Sequence, residues 1–338
     1  MEIKFEHKHS AHCENGVIVN MLHHYGLDIS EPMVFGLSYG LFFSHMPFLK
    51  LSGMAVTTFR TFPGVLFSRI TKILGIKTCR RRYLSRKHAM AALDKHLAEG
   101  CPVGCVVGMY YLPYMPMEYR FHFNGHNICV IGKNEQDGTY LISDPNALEK
   151  VSISKADLIK VRYAKGGSYP IVGQSYWIKE VPQKMPDLAP LIRKSIKKNC
   201  WFMTSQPRWI RYFGVNGIKY LSESVLKWEK TMTPRRAALN LAQVVRMLEE
   251  IGTGGAGFRY MYGAFLQEAA KITGIEQLNS LANDITEIGD LWRDFAYKAS
   301  RVFKKRQGEN YTYQDLSDVL NVIYIRERDF FTQLNNAV

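Results

Sequence analysis

The spacing of apolar side chains changes along the chain and indicates where helices and strands lie. Up to residue 100 these side chains mostly recur every three to four positions, which is typical of a helix with one buried face. The predicted helices in this part begin at Cys13, Ser30, Val65 and Ser85. Short apolar runs then predict strands at 103–111, 126–132, 139–143 and 175–178.

The strands stop near Pro182, where a proline-containing linker begins. Almost every later segment has amphipathic helical spacing. The predicted helices cover 192–198, 215–230, 234–250, 258–273, 276–303 and 313–334. The chain is therefore predicted to be an α+β domain, residues 1–182, followed by an all-α helical domain, residues 183–338.

The composition is that of an ordinary globular protein, with 46% hydrophobic and 22% charged residues. The first ten residues are charged and rich in histidine, unlike a secretory signal, and the longest apolar stretch, 34–49, is too broken to span a bilayer. The six cysteines are too few for a disulfide framework and lack the paired spacing of a zinc site. We therefore expect a cytoplasmic protein with reduced thiols and no membrane span.

Positive charge is the unusual feature of the composition. Lys and Arg number 44 against 30 Asp and Glu, a net charge of +14. Residues 184–236 hold twelve of these cations against three acidic residues, and a second basic run covers 77–87. Such patches attract nucleic acid, an anionic membrane or an acidic protein, and a plainly solvated surface is the alternative.

Cys13 stands in the first turn of the first predicted helix. The dipole at a helix N-terminus favours the thiolate form of a cysteine there. A cysteine in this position is either a nucleophile or a small core residue.

His126 is the histidine best placed to serve as a base for Cys13. It opens an apolar strand that is followed by a turn and by a second strand ending at Asp144. If the two strands form a hairpin, Asp144 lies beside His126 and can orient the imidazole. The three residues then form a nucleophile, base and orienting acid, although each has an ordinary structural explanation as a core, turn or strand-ending residue.

The motifs around these residues resemble a known family. They are His12-Cys13-Glu14-Asn15, Ser30-Glu31, Phe35-Gly36-Leu37-Ser38-Tyr39-Gly40, Gly125-His126, and Gly254-Gly255-Ala256-Gly257-Phe258-Arg259 followed by Phe265-Leu266-Gln267-Glu268-Ala269-Ala270. The order Cys, His, Asp resembles the papain-like fold, in the variant of the bacteriocin leader peptidases. The full set, which extends through the helical part, resembles the butirosin biosynthesis protein H (BtrH) family.

The resemblance implies an acyltransferase of secondary-metabolite biosynthesis. An acyl group would pass from the phosphopantetheine thioester of an acyl carrier protein to a small-molecule amine. Cys13 would form the acyl-enzyme, His126 would act as base and acid, and Asp144 would orient His126. No cofactor would be bound, because the phosphopantetheine belongs to the donor. The partner would be an acidic carrier protein rather than nucleic acid, steered by the two basic stretches.

The resemblance leaves the oxyanion donor open. Papain-like enzymes usually have an amide side chain six residues before the nucleophile, where this chain has His7. His7 or His12 is a candidate donor, together with the backbone N–H of Cys13. A metal cluster of His7, His9 and His12 is allowed by spacing but is disfavoured, and no metal is expected.

The glycine cluster at 252–257 precedes a predicted helix without the Gly-Lys-Ser/Thr ending of a nucleotide-binding loop. Either it reverses the chain, or it covers the acyl pocket as part of a helical domain lying over the active site. In the second case Gly254, Gly255 and Arg259 are substrate-binding candidates.

Two other functions remain open at this point. A hydrolase (thioesterase, amidase or peptidase) could use the same three residues with water in place of the amine. A binding protein with a basic face is the third possibility, but it would not need the Cys, His and Asp arrangement.

Overall fold

The computed structural model describes residues 2–51, 53–117, 120–166, 170–205, 210–304 and 311–338. The chain divides into two compact units. The first unit contains Met1–Val34 and Pro63–Pro186, and the second contains Phe35–Phe62 and Asp187–Val338. Each unit is therefore built around its own core.

The first unit combines a sheet with short helices. Its helices are α1 (Cys13–His24), α3 (Val65–Ile73), α4 (Arg86–Ala98) and α5 (Lys155–Arg162), and α2 (Glu31–Leu37) begins in this unit and ends in the other. Its strands are β3 (Lys77–Arg81), β4 (Val103–Val107), β5 (His126–Lys133), β6 (Tyr140–Ser143), β7 (Val151–Ile153) and β8 (Ser175–Glu180). The described strands form an antiparallel sheet in the order β3-β8-β4-β5-β6-β7.

Most elements predicted for this part of the sequence are present. The helices beginning near Cys13, Val65 and Ser85 and the strands at 126–132 and 139–143 are confirmed within a few residues. The strand predicted at 103–111 ends at Val107, and a 3₁₀ turn follows at Met109–Tyr111. Strands β3 and β7 and helix α5 were not predicted.

The second unit packs a β-hairpin against helices. The hairpin strands are β1 (Leu41–Leu51) and β2 (Met54–Arg60). The helices are α6 (Leu188–Thr204), α7 (Gly214–Thr231), α8 (Pro234–Glu249), α9 (Arg259–Thr273), α10 (Gln277–Lys304) and α11 (Tyr313–Ala337), close to the predicted ranges. Helix α10 contacts α8, α9 and α11.

The division of the chain differs from the predicted boundary at residue 182 in one respect. Residues 35–62 belong to the helical unit, and they form the strands β1 and β2, which the sequence pattern does not predict. The reason is aromatic packing, since Phe43 and Phe59 both contact the buried Trp292 of α10. The Ala55 N–H also donates to the Asn240 side chain over 3.2 Å. The fold is thus mixed α+β, with a sheet unit and a helical unit that the chain enters twice.

Over the residues that the structure describes, none of the helices combines the length and the apolar character needed to cross a bilayer.

Candidate active site

Cys13 is the first residue of α1, as the sequence predicts. His12 caps the helix, and its Nδ1 accepts a hydrogen bond from the Asn15 N–H over 3.3 Å. Cys13 is buried, with only 8% of the residue exposed. Its backbone N–H occupies the first helical position, where no intrahelical acceptor exists. The thiol is therefore held in a defined place beside a backbone donor.

Glu31 fixes the backbone that leads into Cys13. Its two carboxylate oxygens accept hydrogen bonds from the N–H groups of Ala11, over 3.0 Å, and His12, over 2.8 Å. Burial raises the pKa of Glu31, although these two hydrogen bonds act in the opposite direction. Glu31 was not predicted as a site residue, and its place beside the motif at 12–15 depends on the fold.

The β5–β6 hairpin brings Asp144 to His126. Cys129 pairs with Ser143, so Asp144 follows opposite Ile128, on the same face of the sheet as His126. The His126 Nε2 and the Asp144 Oδ2 are 2.8 Å apart, and both side chains are fully buried. The contact that sequence analysis inferred from the hairpin is present in the structure.

The electrostatics of His126 favour its protonated form. Burial alone lowers the pKa of an imidazole, but the charge and hydrogen bond of Asp144 raise it, and a hydrogen bond with the Cys13 side chain adds to this. Together these effects raise the pKa of His126 to about 10. Because Nε2 is bonded to Asp144, Nδ1 is the ring nitrogen left for Cys13. The imidazole thus lies between the thiol and the carboxylate.

The Asp144 carboxylate accepts two further hydrogen bonds besides its contact with His126. The Tyr114 hydroxyl donates to Oδ2 over 2.8 Å, and the Asn146 N–H donates to Oδ1 over 2.9 Å. Burial raises the pKa of Asp144, but His126 and these hydrogen bonds outweigh it and lower the pKa. Sequence reasoning missed Tyr114, because it lies in a Pro- and Met-rich stretch with no periodic pattern.

Close packing holds α1 against the turn that follows Asp144. A Cβ on Gly16 would lie 2.5 Å from the Pro145 Cβ and 2.6 Å from the Ser10 Cβ, so only glycine fits. The Ser10 N–H also donates to the Pro145 carbonyl over 3.0 Å. These contacts place the helix of the thiol against the turn of the acid.

Both ring nitrogens of His7 are engaged away from Cys13. Nε2 donates to the Ala147 carbonyl over 3.1 Å, which leaves Nδ1 to bond the Ser143 hydroxyl at 2.8 Å. In this arrangement His7 supports the strand end before Asp144. The Nδ1 of His12 is occupied by the helix cap. The assignment of His7 or His12 as an oxyanion donor therefore stays a prediction.

The glycine cluster and Arg259 lie in the helical unit. Gly254, Gly255 and Gly257 all have positive φ angles, and a Cβ on Gly257 would lie 2.5 Å from the Phe59 ring. The fully buried Arg259 guanidinium pairs with Glu327 at 2.8 Å and donates to the Gly257 carbonyl. The structure therefore gives this motif a role in turning and packing the chain, and substrate binding by these residues stays a prediction.

A metal-binding arrangement does not appear among the residues described. Within the ranges given above, no three His, Cys, Asp or Glu side chains are grouped to hold an ion.

Two family models match the chain and together cover most of it. The model for the N-terminal domain of butirosin biosynthesis protein H matches residues 12–145, which includes Cys13, His126 and Asp144. The model for a domain of unknown function, DUF4872, matches residues 156–334. A search of curated proteins gave no match. The chain therefore belongs to the BtrH-like family, with a BtrH N-terminal domain followed by a DUF4872 domain.

Proposed function

We propose that this chain is an acyltransferase that moves an acyl group from a carrier-protein thioester to an amine through an acyl-enzyme on Cys13. The observation that carries the proposal is the position of His126 between the Asp144 carboxylate and the Cys13 thiol. Family membership supports a role in biosynthesis. The resemblance to papain-like enzymes supports covalent catalysis by this set of residues.

In the first half-reaction the Cys13 sulfur attacks the thioester carbonyl carbon. The raised pKa of His126 keeps the proton on the imidazole, so the sulfur attacks as a thiolate. The bond between the carbonyl carbon and the phosphopantetheine sulfur breaks, and His126 protonates the departing thiolate. The products are a Cys13 thioester, a free phosphopantetheine thiol and a neutral imidazole.

In the second half-reaction an amine attacks the Cys13 thioester. The neutral His126 accepts the proton that the amine loses, and the bond from carbon to the Cys13 sulfur breaks. An amide leaves, and the thiolate and imidazolium are restored. The Asp144 carboxylate stabilises the imidazolium at both ends of the cycle. Negative charge on the carbonyl oxygen is stabilised by the Cys13 backbone N–H and, in this proposal, by His12.

The proposal is tested by following acyl mass on the protein. The purified chain is incubated with a panel of acyl thioesters, with and without primary amines, and measured by intact mass spectrometry. We expect an acyl adduct that persists in water and disappears when an accepted amine is added. Cys13→Ala removes the adduct, and Cys79→Ala, which changes a half-exposed thiol on β3, keeps it.

Two outcomes contradict the proposal in different ways. Rapid loss of the adduct in water identifies a hydrolase that uses the same residues. Failure of every thioester to acylate Cys13, with an unreactive thiol, removes covalent catalysis altogether.

A further inference from the structure

A basic surface with one exposed leucine lies at the edge of the sheet in the first unit. It consists of the loop from β3 to α4 and the start of α4. We define the Arg81–Lys87 surface by its exposed side chains, which are Arg81, Arg82, Leu84, Arg86 and Lys87. Leu84 is 87% exposed. The sequence from 81 to 87 contains no acidic residue.

Among the residues that the structure describes, no acidic side chain neutralises the charges of this surface. Of the neighbouring cations, Lys77 pairs with Glu180 at 2.7 Å, and Arg80 donates to the Gly64 carbonyl and the Ser68 hydroxyl. Across the ranges that the structure describes, no carboxylate forms an ion pair with the four cations of the surface. The surface therefore presents positive charge around an apolar side chain, without an ion pair to any described carboxylate.

Helix stability does not explain the cations at the start of α4. The first turn of α4 contains Arg86 and Lys87 and no acidic residue, although acidic side chains stabilise this end of a helix. Leu84 buries almost none of its area and so adds little to the core. Both features are unfavourable for the isolated protein and favourable in an interface with an acidic partner.

The loop that presents these side chains is anchored. The Tyr163 hydroxyl donates to the Tyr83 carbonyl over 2.7 Å, and the Arg86 guanidinium lies 5.6 Å from the centre of the Tyr163 ring. Ser85 caps α4 through the His88 N–H. The surface is thus held in one arrangement before any partner binds, which lowers the entropy lost on docking.

Strand pairing places this surface at the same end of the sheet as His126. Arg81 pairs with Ser175, Ser175 with Cys105, and Cys105 with Ile128. Two residues further along in the same direction, Val107 pairs with His126 and Tyr83 lies beside Gly173.

The distance between the surface and the site follows from this topology. Strands β3 and β5 are three strand spacings apart, about 14 Å. A phosphopantetheine arm is a flexible linear chain that can cross such a separation. A carrier protein docked at the sheet edge could therefore present its thioester at Cys13.

We infer that the Arg81–Lys87 surface docks the acidic carrier protein that delivers the acyl group. The inference rests on the proposed function and adds the place of contact. Carboxylates on the partner pair with the four arginine and lysine side chains, and an apolar patch on the partner covers Leu84.

The test compares two donors of the same acyl group. One is an acidic carrier protein acylated on its phosphopantetheine, and the other is the N-acetylcysteamine thioester, which has no protein to dock. In the full chain, Arg82→Glu with Lys87→Glu is expected to lower kcat/KM for the carrier donor about tenfold or more. The kcat/KM for the N-acetylcysteamine donor changes less than about twofold, because this small donor does not need the charges of the surface in order to bind. Leu84→Ser lowers kcat/KM for the carrier donor and leaves kcat/KM for the N-acetylcysteamine donor unchanged.

The matched control is Lys155→Glu with Lys179→Glu. It makes the same change in charge at two exposed lysines of the same unit outside the surface. Calorimetric titration with the unacylated holo carrier protein measures docking without any turnover. We expect tight binding that weakens with salt and with the Arg82 and Lys87 reversal, but not with the control.

Three results overturn the inference. If kcat/KM for the carrier donor falls equally in the Arg82 and Lys87 variant and in the lysine control, only the net charge of the protein matters. If neither double variant loses kcat/KM for the carrier donor, the carrier protein docks elsewhere. A reversal that abolishes binding of DNA or anionic vesicles, and leaves carrier binding unchanged, assigns the surface to another partner. If no donor acylates Cys13 while the titration still shows specific carrier binding, the docking surface stands and the proposed chemistry fails.

Discussion

Asp144 receives hydrogen bonds from a side-chain imidazole, a phenol and a backbone amide, and it is fully buried. A buried carboxylate with this many donors is held as the anion, and the anion in turn holds the proton on His126. In the proposed reaction, the imidazole beside the Cys13 thiol is therefore charged before any substrate binds. The charge of Asp144 is therefore the main determinant of how acidic a solution the site tolerates.

Replacing Asp144 with asparagine should change the pH dependence of thiol reactivity. Without the carboxylate, burial dominates and the pKa of His126 falls. The imidazole then loses the positive charge that it places beside the Cys13 sulfur. We expect iodoacetamide to alkylate Cys13 about tenfold more slowly at pH 7, with recovery as the pH rises. Asp94→Asn, which removes a carboxylate bonded to Tyr140, is the control. An unchanged pH profile in Asp144→Asn would contradict this account.

Tyr114→Phe should affect catalysis through Asp144. Loss of the hydroxyl removes one of the hydrogen bonds that oppose the effect of burial on the pKa of Asp144, so this pKa rises. We expect kcat to fall about fivefold, corresponding to about 1 kcal/mol. The acidic limb of the pH profile should move to higher pH. Tyr140→Phe removes a similar hydroxyl bonded to Asp94 and leaves the profile in place. Equal effects of both variants would indicate a purely structural role for Tyr114.

Sequence patterns predict Cys13, His126 and Asp144 as site residues, but they assign no site role to Glu31 or Tyr114. The first three are marked by position on an element, namely a helix start, a strand start and a strand end. Glu31 and Tyr114 bond the site from a helix and a loop distant along the chain, and neither belongs to a repeating pattern. Contacts of this kind arise only from the folded chain.

At the scale of elements, α1 must lie close to the turn after β6 for the thiol to reach the imidazole. The absence of a side chain at Gly16 makes this approach possible. Helix propensity alone would favour alanine here by up to ~1 kcal/mol. The glycine is therefore required for packing rather than for the helix itself.

Gly16→Ala should separate α1 from the 144–145 turn. The added methyl group would overlap with Pro145 and Ser10, and overpacking of this kind costs about 1–3 kcal/mol. This would displace the thiol by a fraction of an ångström, and we expect the rate of acyl transfer to fall about tenfold. Acylation kinetics and thermal melting are measured together, with Val19→Ala as a second change in the same helix. Wild-type kinetics in Gly16→Ala would show that this contact does not position the thiol.

The elements themselves were predictable to different degrees. The β5–β6 hairpin follows from two apolar runs on either side of a polar turn, and the long helices follow from amphipathic spacing. Strand β3 escaped prediction because it is an edge strand whose ends are exposed and basic. Because charged side chains occupy most of its positions, β3 lacks the alternation of apolar and polar residues by which a strand is predicted.

At the scale of the whole molecule, the helical unit is assembled from two separate pieces of the chain. The hairpin of residues 35–62 supplies Phe43 and Phe59, which pack on Trp292, and the Asn199 side chain donates to the Leu41 carbonyl. No local pattern reveals that a segment pairs with helices more than a hundred residues away. The predicted boundary at residue 182 therefore corresponds to only one of the places where the chain passes between the two units.

A fragment of residues 187–338 should not fold as the full unit does. Without the hairpin, the apolar faces that cover Phe43 and Phe59 are exposed to water. We expect the fragment to melt without a cooperative transition in circular dichroism. Residues 35–62 joined to it by a glycine-serine linker should restore the transition. Indistinguishable melting of the two proteins would show that the helices form the unit without the hairpin.

The buried pair of Arg259 and Glu327 limits how this chain can change during evolution. Loss of either charge leaves the other without a counter-ion in the core and costs about 3–5 kcal/mol, a large part of the stability of a typical domain. Replacement of both by apolar side chains of similar volume costs far less. Substitutions at the two positions should therefore be accepted together. In an alignment of relatives the two columns should covary, with the pair kept whole or lost whole.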